Sequence, residues 1–392
     1  MSVLVHKSVC GTATHILIKA GKIKWVGDDD GSSYLVGFPK CARSLEPLLK
    51  LYDRQLFDVV PKNIRRSFEV CGTTNVEWRY TMPKPMFLDR VKTLISQLTD
   101  IDALFTAIEY PDFFIETSRV FDFLRPSSID PILVRSFLER GDCRSLSTIL
   151  KLSKDNILPR PSYDRVSTKT GRLTIKAGPQ ILTLKKEFRS VFRSQYENGS
   201  LYEIDFISLE PRVALNVAGV NASDDVYLSF IESSGVVVSR DTAKLAVLCA
   251  LYGAGKSRLS KLLSDDGSNV TAQYLLNEVA EYFKIEDLRG FLYENARNDS
   301  MVNCFGRPIP LDSARDGVLI NNFLQSSASD VALKGFLDFS EKFKNICSPL
   351  FLIHDALVID MDRRYIPQVE EYVSKGYSLA GLGNFPLKLS EF

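Results

Sequence analysis

The chain has 392 residues, 25% of them charged and 45% hydrophobic, with a formal net charge of +1. That length exceeds what one small core serves and calls for two or three domains or subdomains. The balance is that of an ordinary soluble globular protein and excludes disordered and fibrous classes. No apolar run approaches the roughly 20 residues a bilayer-spanning helix needs. His6 and Lys7 interrupt the apolar start that a secretory signal would require. The seven cysteines are odd in number and lack a Cys-x-x-Cys pair. They read as reduced, mostly buried thiols of a cytoplasmic protein, not as a disulfide frame or zinc site.

In chain order, the first strong signal is a hairpin: His15-Ile-Leu-Ile-Lys19, an Ala20-Gly21 turn, then Lys22-Ile-Lys-Trp-Val26, alternating with period two. From Pro85 the period lengthens, and Phe87, Leu88, Val91, Leu94, Ile95 and Leu98 predict an amphipathic helix. Asp130 as N-cap, Pro131 in the first turn and Gly141 past the end punctuate a second helix. A third follows near Leu146–Leu152, and the Pro159-Arg-Pro-Ser loop reads as a domain boundary. Between Lys151 and Ser200 stand eleven Lys and Arg against four Asp and Glu, a local excess of seven. Such a stripe fits a phosphate backbone or a solvated basic face equally well. Further helices are predicted near Ala272–Phe283, Leu288–Ala296 and Val318–Phe343, before a closing apolar hairpin centred on His354-Asp355.

Two apolar strands end in aspartate: Leu201-Tyr-Glu-Ile-Asp205 and Leu352-Ile-His-Asp355. In the first, Leu201, Glu203 and Asp205 share a face. Glu210 follows five residues later at a helix start, where it could equally be a cap. In the second, an ionisable pair at the tip of an apolar hairpin is costly unless a ligand or metal engages it. Arg240, Lys244, Leu248 and Tyr252 are four apart, drift only about 40° per step, and so stay on one helix face about 18 Å long. That length suits a nucleotide, with Arg240 and Lys244 at the phosphates and Leu248 and Tyr252 at the sugar and base. The bland alternative is a surface Arg–Lys pair above a core-facing Leu and Tyr. Ala250-x-x-x-x-Gly255-Lys256-Ser257 also satisfies a loose phosphate-loop pattern, which would make the chain a P-loop ATPase. That motif needs a strand before it, and here the preceding residues carry a helical period.

Taken in order, these segments resemble the polymerase region of family A (polymerase I-like) DNA polymerases, from about Arg165 to the C-terminus. Thr168-Lys-Thr-Gly-Arg172-Leu173 is similar to the family's Thr-x-Thr-Gly-Arg-Leu element, with Pro179-Gln180 and Phe188-Arg189-Ser-Val-Phe192 after it. Asp205-Phe-Ile-Ser-Leu-Glu210-Pro-Arg212 resembles motif A, and Arg240-x3-Lys244-x7-Tyr252-Gly253 resembles motif B. Gly306-Arg307, Asn321-x3-Gln325 and His354-Asp355 complete the series.

The resemblance implies an α+β right-hand fold of palm, fingers and thumb. Residues 1–84 would form a small β-rich region of unknown role and 85–160 a thumb-like helical region. The palm would comprise 161–235 and 311–392, and the fingers 236–310. It further implies a DNA-directed DNA polymerase that adds dNTPs to a primer 3′ end by two-metal phosphoryl transfer. Asp205, Asp355 and the carbonyl of Phe206 would hold two Mg²⁺ ions, for which Mn²⁺ can substitute. Arg240, Lys244, Leu248, Tyr252, Glu210 and Tyr227 would contact the nucleotide, with Glu210 crowding the sugar 2′ position. Arg172, Gln180, Arg212, Gly253, Asn321, Gln325 and His354 would contact the primer–template.

Three positions depart from the family. Ala356 follows Asp355 where the family has Glu, Leu248 replaces a usual aromatic ring, and Tyr227 stands where a phosphate-binding His is common. Single-subunit RNA polymerases, which share the fold and lack that acid, make an RNA polymerase or primer-making enzyme the alternative, against which Glu210 argues. The segment before about residue 160 has no convincing Asp-x-Glu nuclease start, so no proofreading exonuclease is expected. A separate exonuclease or processivity factor could serve as partner. The compactness points to a phage or other mobile-element enzyme acting in the host cytoplasm.

Overall fold

The computed structural model describes residues 2–29, 31–38, 43–72, 77–140, 144–220, 223–253, 255–265, 269–296, 300–311 and 316–392. Contacts divide the chain into two units, Met1–Asp122 and Phe123–Phe392. Among the described residues no helix is long and apolar enough to cross a membrane. Cys10, Cys249 and Cys347 are buried thiols in no disulfide, as their scatter in the sequence predicts.

In the first unit, strands β1 (Ser2–Val5), β2 (His15–Lys19), β3 (Lys22–Val26) and β4 (Tyr34–Val36) form one sheet in the order β3-β2-β1-β4. The β2–β3 turn places Ala20 and Gly21 at φ 49° and 70°. A two-residue turn with both φ values positive twists in the same sense as its strands, which explains the short hairpin. Helix α1 (Lys84–Thr106) buries Phe87, Val91, Leu94, Leu98, Ile101 and Phe105 at alternating steps of three and four. That stripe packs on β1 and β2. The boundary expected at 84/85 therefore falls inside a unit, and the helical segment 85–160 is divided at Asp122/Phe123.

The second unit opens with α2 (Pro131–Glu139), capped by Asp130 through the amides of Ile132 and Leu133, and α3 (Arg144–Leu152). Gly141, the expected stop of α2, lies outside the described residues. Just before the Pro159 loop, Ile157–Leu158 pair with Ser127–Ile129. A hairpin of β5 (Ser162–Asp164) and β6 (Thr174–Ala177) follows, carrying Arg172 in its loop.

The centre is a four-stranded antiparallel sheet of β7 (Gly199–Phe206), β8 (Cys347–Ile353), β9 (Ala356–Asp362) and β10 (Leu387–Glu391), in the order β8-β9-β7-β10. Leu201, Phe351, Ile353 and Val358 pack one face into a core with Val134, Leu146 and Ile149 of α2 and α3. On the other face Phe206 meets Phe336 at 5.4 Å between ring centroids. Phe336 lies on the long helix α9 (Asp316–Lys342). Gly335 makes that approach possible, since a Cβ there would lie 2.8 Å from Phe206 Cζ.

Between sheet and long helix run α4 (Leu209–Val217), α5 (Val226–Ser234), α6 (Arg240–Tyr252), α7 (Ala272–Tyr282) and α8 (Ile285–Asn295). Helix α6 packs against α5, α7 and α9. It runs unbroken through Ala250 and ends at Gly253, so the segment before Gly255 is helix and not the strand a phosphate-binding loop requires.

Candidate active site

Alternation along β7 puts Asp205 at the strand's end on the face of Leu201 and Glu203. There it pairs with Ala356 of β9 on one side and Lys388 of β10 on the other. Asp355 occupies the two-residue turn between β8 and β9, and its carbonyl accepts the Phe206 amide at 3.2 Å. Two aspartates 150 residues apart in sequence thus meet at neighbouring strand ends. Both flanking turns contain a non-glycine residue in the left-handed region, His354 at φ 56° and Ser208 at φ 53°. Such conformations are uncommon and concentrate at functional loops.

Electrostatics report the same proximity. Burial pushes the Asp205 carboxyl up to about 7, with the charges of Asp355 and Glu203 adding to it and those of Lys186 and Lys388 opposing. Burial also raises Asp355, against the opposing charges of His354 and Arg172. Glu210 is raised by burial despite Arg172, and hydrogen-bonds Gln325. Burial and the Arg172 charge lower His354. Arg172, Glu210, His354 and Asp355 line one cavity, floored by Leu333 and Phe336 of α9. Gln325 in turn accepts from the Thr170 hydroxyl at 2.8 Å, which ties the Thr-x-Thr-Gly-Arg loop to α9. Asn321 lies one turn before Gln325 on the same helix.

On α6, Thr242, Ala243, Ala246, Val247, Cys249 and Leu251 form the buried face. Arg240 and Lys244 are exposed, and Leu248 and Tyr252 half-buried, so the four predicted residues follow the outward side instead of anchoring the core. Arg240 is not idle there. Its Nε donates to Asp225 Oδ2 at 2.7 Å, and its guanidinium lies over the Tyr227 ring, 5.2 Å from the centroid. Tyr227 is buried and hydrogen-bonds Ser208 beside the Asp205 turn. Gly253 is the left-handed C-cap of α6. Gln180 is exposed at the start of a short 3-10 turn.

Arg212 is turned into the fold and only 3% exposed. Its Nε donates to the Ile207 carbonyl, and its Nη2 to those of Ser223 and Asp224. It ties two loops together. Conversely, Glu203, Lys186, Lys388, Tyr163 and Asp225 surround the site unannounced. For Glu203 the shared face with Asp205 was a usable signal. Lys388 is placed only by strand register, which no local pattern encodes.

No protein-family model matches the chain. It is 24% identical over 265 residues to DNA polymerase I of Helicobacter pylori strain J99, covering 58% of this chain and 28% of that protein. DNA polymerase I of strain 26695 is 23% identical over 266 residues. The chain thus matches little more than a quarter of the length of these curated relatives. In three dimensions it superposes on the POL domain of Pol1 from M. smegmatis, solved with DNA primer-template and dNTP. The TM-score is 0.62 at 11% identity, covering 100% of this chain and 94% of that one. The likeness is one of fold, a mixed α+β arrangement in which two acids stand at adjacent strand ends of the central sheet. In three dimensions the chain shares the fold of that POL domain.

Proposed function

We propose that this chain is a template-directed DNA polymerase extending a primer 3′ end with dNTPs. The observation that carries the reading is the meeting of Asp205 and Asp355 beside a cavity lined by Arg172, Glu210 and His354. On this reading the central sheet and α9 are the palm, α6 to α8 belong to the fingers, and α2 and α3 to the thumb.

The acids suit a divalent ion. Burial raises the proton affinity of both half-buried carboxylates, and the Asp355 charge raises that of Asp205 further, so a cation would neutralise charge that the fold strains to hold. Among the described residues no third Asp, Glu, His or Cys joins them in a cage. That fits magnesium, which is ordinarily held by one or two carboxylates together with substrate phosphates and water. Asp205, Asp355 and the Phe206 carbonyl would hold two such ions, which when bound acidify the primer hydroxyl and stabilise the departing pyrophosphate.

The chain's own residues do the rest. The primer 3′ oxygen forms a bond to the α-phosphorus as the bond to pyrophosphate breaks, and the hydroxyl proton leaves. Arg240 and Lys244, on the outward face of α6, bind and orient the triphosphate and offset its growing charge. Glu210, held between Arg172 and Gln325, occupies space that a ribose 2′ hydroxyl would need. Arg172, Gln325, Asn321 and His354 hold the primer–template end. Tyr252 stacks near the templating base.

Primer extension with Mg²⁺ tests the reading. Wild type should extend with dNTPs and much less with NTPs, while Asp205→Ala and Asp355→Ala should lose extension while still binding primer–template. A preference for NTPs would favour the RNA-polymerising alternative. Undiminished extension by either variant would refute the two-carboxylate assignment.

A further inference from the structure

We propose that Tyr163 is a positioning residue for the catalytic turn, fixing His354-Asp355 through the backbone of Leu352. The inference rests on the polymerase reading above, and concerns a residue which that reading leaves unused.

Strand β8 is an edge strand of the central sheet. Ile353 pairs with Ala356 across the two-residue turn and Leu352 with Leu357. In an antiparallel ladder bonded and non-bonded pairs alternate, so the Leu352 amide and carbonyl point away from β9. Among the described residues no strand lies on that side, yet Leu352 is fully buried. Tyr163 supplies the partner: its hydroxyl donates to the Leu352 carbonyl at 2.9 Å and accepts the Leu352 amide at 2.9 Å. One phenol thus replaces a neighbouring strand at one residue, two positions before His354. Burial raises the phenol's pKa, so its proton stays available for donation.

The other end of the tie is equally constrained. Tyr163 sits on β5, at the root of the loop that carries Arg172. Asp164 Oδ1 accepts the amides of Val166 and Ser167 at 2.8 and 3.0 Å, shaping that loop. Arg165 pairs with Asp330 of α9 at 2.7 Å, both buried, and the Arg307 guanidinium donates to the Arg165 carbonyl at 2.9 Å. The loop is therefore fixed to α9 by its side chains and to β8 by Tyr163. The two walls of the cavity, Arg172 on one and His354-Asp355 on the other, are set by one continuous piece of structure. Without the hydroxyl, the turn keeps its hairpin bonds but loses its lateral stop. Displacements near 1 Å at a reacting centre cost up to about a hundredfold in rate.

The test uses Tyr163→Phe in the full chain, with Asp355→Ala in parallel. Four quantities are read: kcat, KM for dNTP, Kd for primer–template, and hydrogen exchange at the Leu352 amide. Positioning predicts faster Leu352 exchange and a kcat lower by roughly tenfold, with KM and Kd within about twofold of wild type. Tyr163→Gln, whose amide retains a donor and an acceptor, should recover part of kcat. An unchanged kcat alongside faster Leu352 exchange overturns the inference. So does a joint loss of kcat, KM, Kd and thermal stability, which would make the tie a general structural one. If Asp355→Ala abolishes extension and Tyr163→Phe leaves kcat unchanged, this inference alone fails. If Asp355→Ala extends normally, the polymerase assignment of the turn fails first.

Discussion

Asp225 serves two helices at once. One oxygen caps α5 by accepting the amides of Tyr227 and Leu228 at 2.9 and 3.1 Å. The other accepts Arg240 Nε at 2.7 Å. The Arg240 proposed to bind triphosphate therefore already has a counter-ion, and incoming phosphate must displace it. Asn caps a helix about as well as Asp, so Asp225→Asn removes the competing charge and keeps the cap. Exposed pairs of this kind are worth about 0–1 kcal/mol. The expected result is a fall in dNTP KM of up to about fivefold, with kcat unchanged, in steady-state primer extension. A rise in KM would mean instead that Asp225 aims Arg240 at its ligand.

The raised carboxyl of Asp205 predicts a pH dependence of stability. Its usual value near 3.8 is pushed up to about 7 in the folded protein. Between those values the folded chain holds a proton that the unfolded chain releases, so wild-type stability falls as pH rises through this window. Asp205→Asn carries no such penalty. In the absence of divalent ions its Tm should exceed that of wild type at pH 8, and the difference should vanish near pH 4. Adding Mg²⁺ at pH 8 should raise the wild-type Tm, since a ligand of the folded state stabilises it. The same addition should raise the variant's Tm less.

These two sites differ in how far sequence revealed them. The strand ends at Asp205 and Asp355 and the outward face of α6 follow from periodicity, and so were legible. So was the Ala20-Gly21 hairpin, because its turn chemistry is local. Asp225, Tyr163 and Lys388 act through partners 15 to 189 positions away, and no period or cap marks such contacts. The surroundings of Arg212 were hidden for a related reason. Motif spacing gives its position, but its burial depends on the carbonyls of Ser223 and Asp224 folding back over it. The stripe of α1 shows that a face is buried without showing which sheet buries it.

Glu210 should govern sugar choice. It is half-buried, bonded to Gln325 and balanced by Arg172, so it is held rather than free to swing aside. Glu210→Ala opens its volume and should lower discrimination between dNTP and NTP by about 10- to 100-fold, the range that pocket shape alone supports. The comparison of kcat/KM for dCTP and CTP on one template decides this. Equal discrimination in wild type and variant would move the sugar gate elsewhere.

The cluster beneath the Arg172 loop should be costly to break and less costly to replace. Arg165 and Asp330 are 3% and 2% exposed at the side chain, joined at 2.7 Å, and Asn303 Nδ2 donates to the second Asp330 oxygen at 2.8 Å. Asp330→Ala withdraws the counter-charge from a buried guanidinium, which typically costs about 3–5 kcal/mol. Urea unfolding should show that loss. The double variant Arg165→Met with Asp330→Leu removes both charges, and apolar replacement of a buried pair is often close to neutral. It should recover much of the stability while leaving the Thr170–Gln325 and Tyr163–Leu352 hydrogen bonds and the Arg307 bond to the residue 165 carbonyl to hold the loop. If stability returns but primer–template affinity does not, the ion pair places Arg172 and does little to hold the fold together. If both return, packing alone is enough to set the loop.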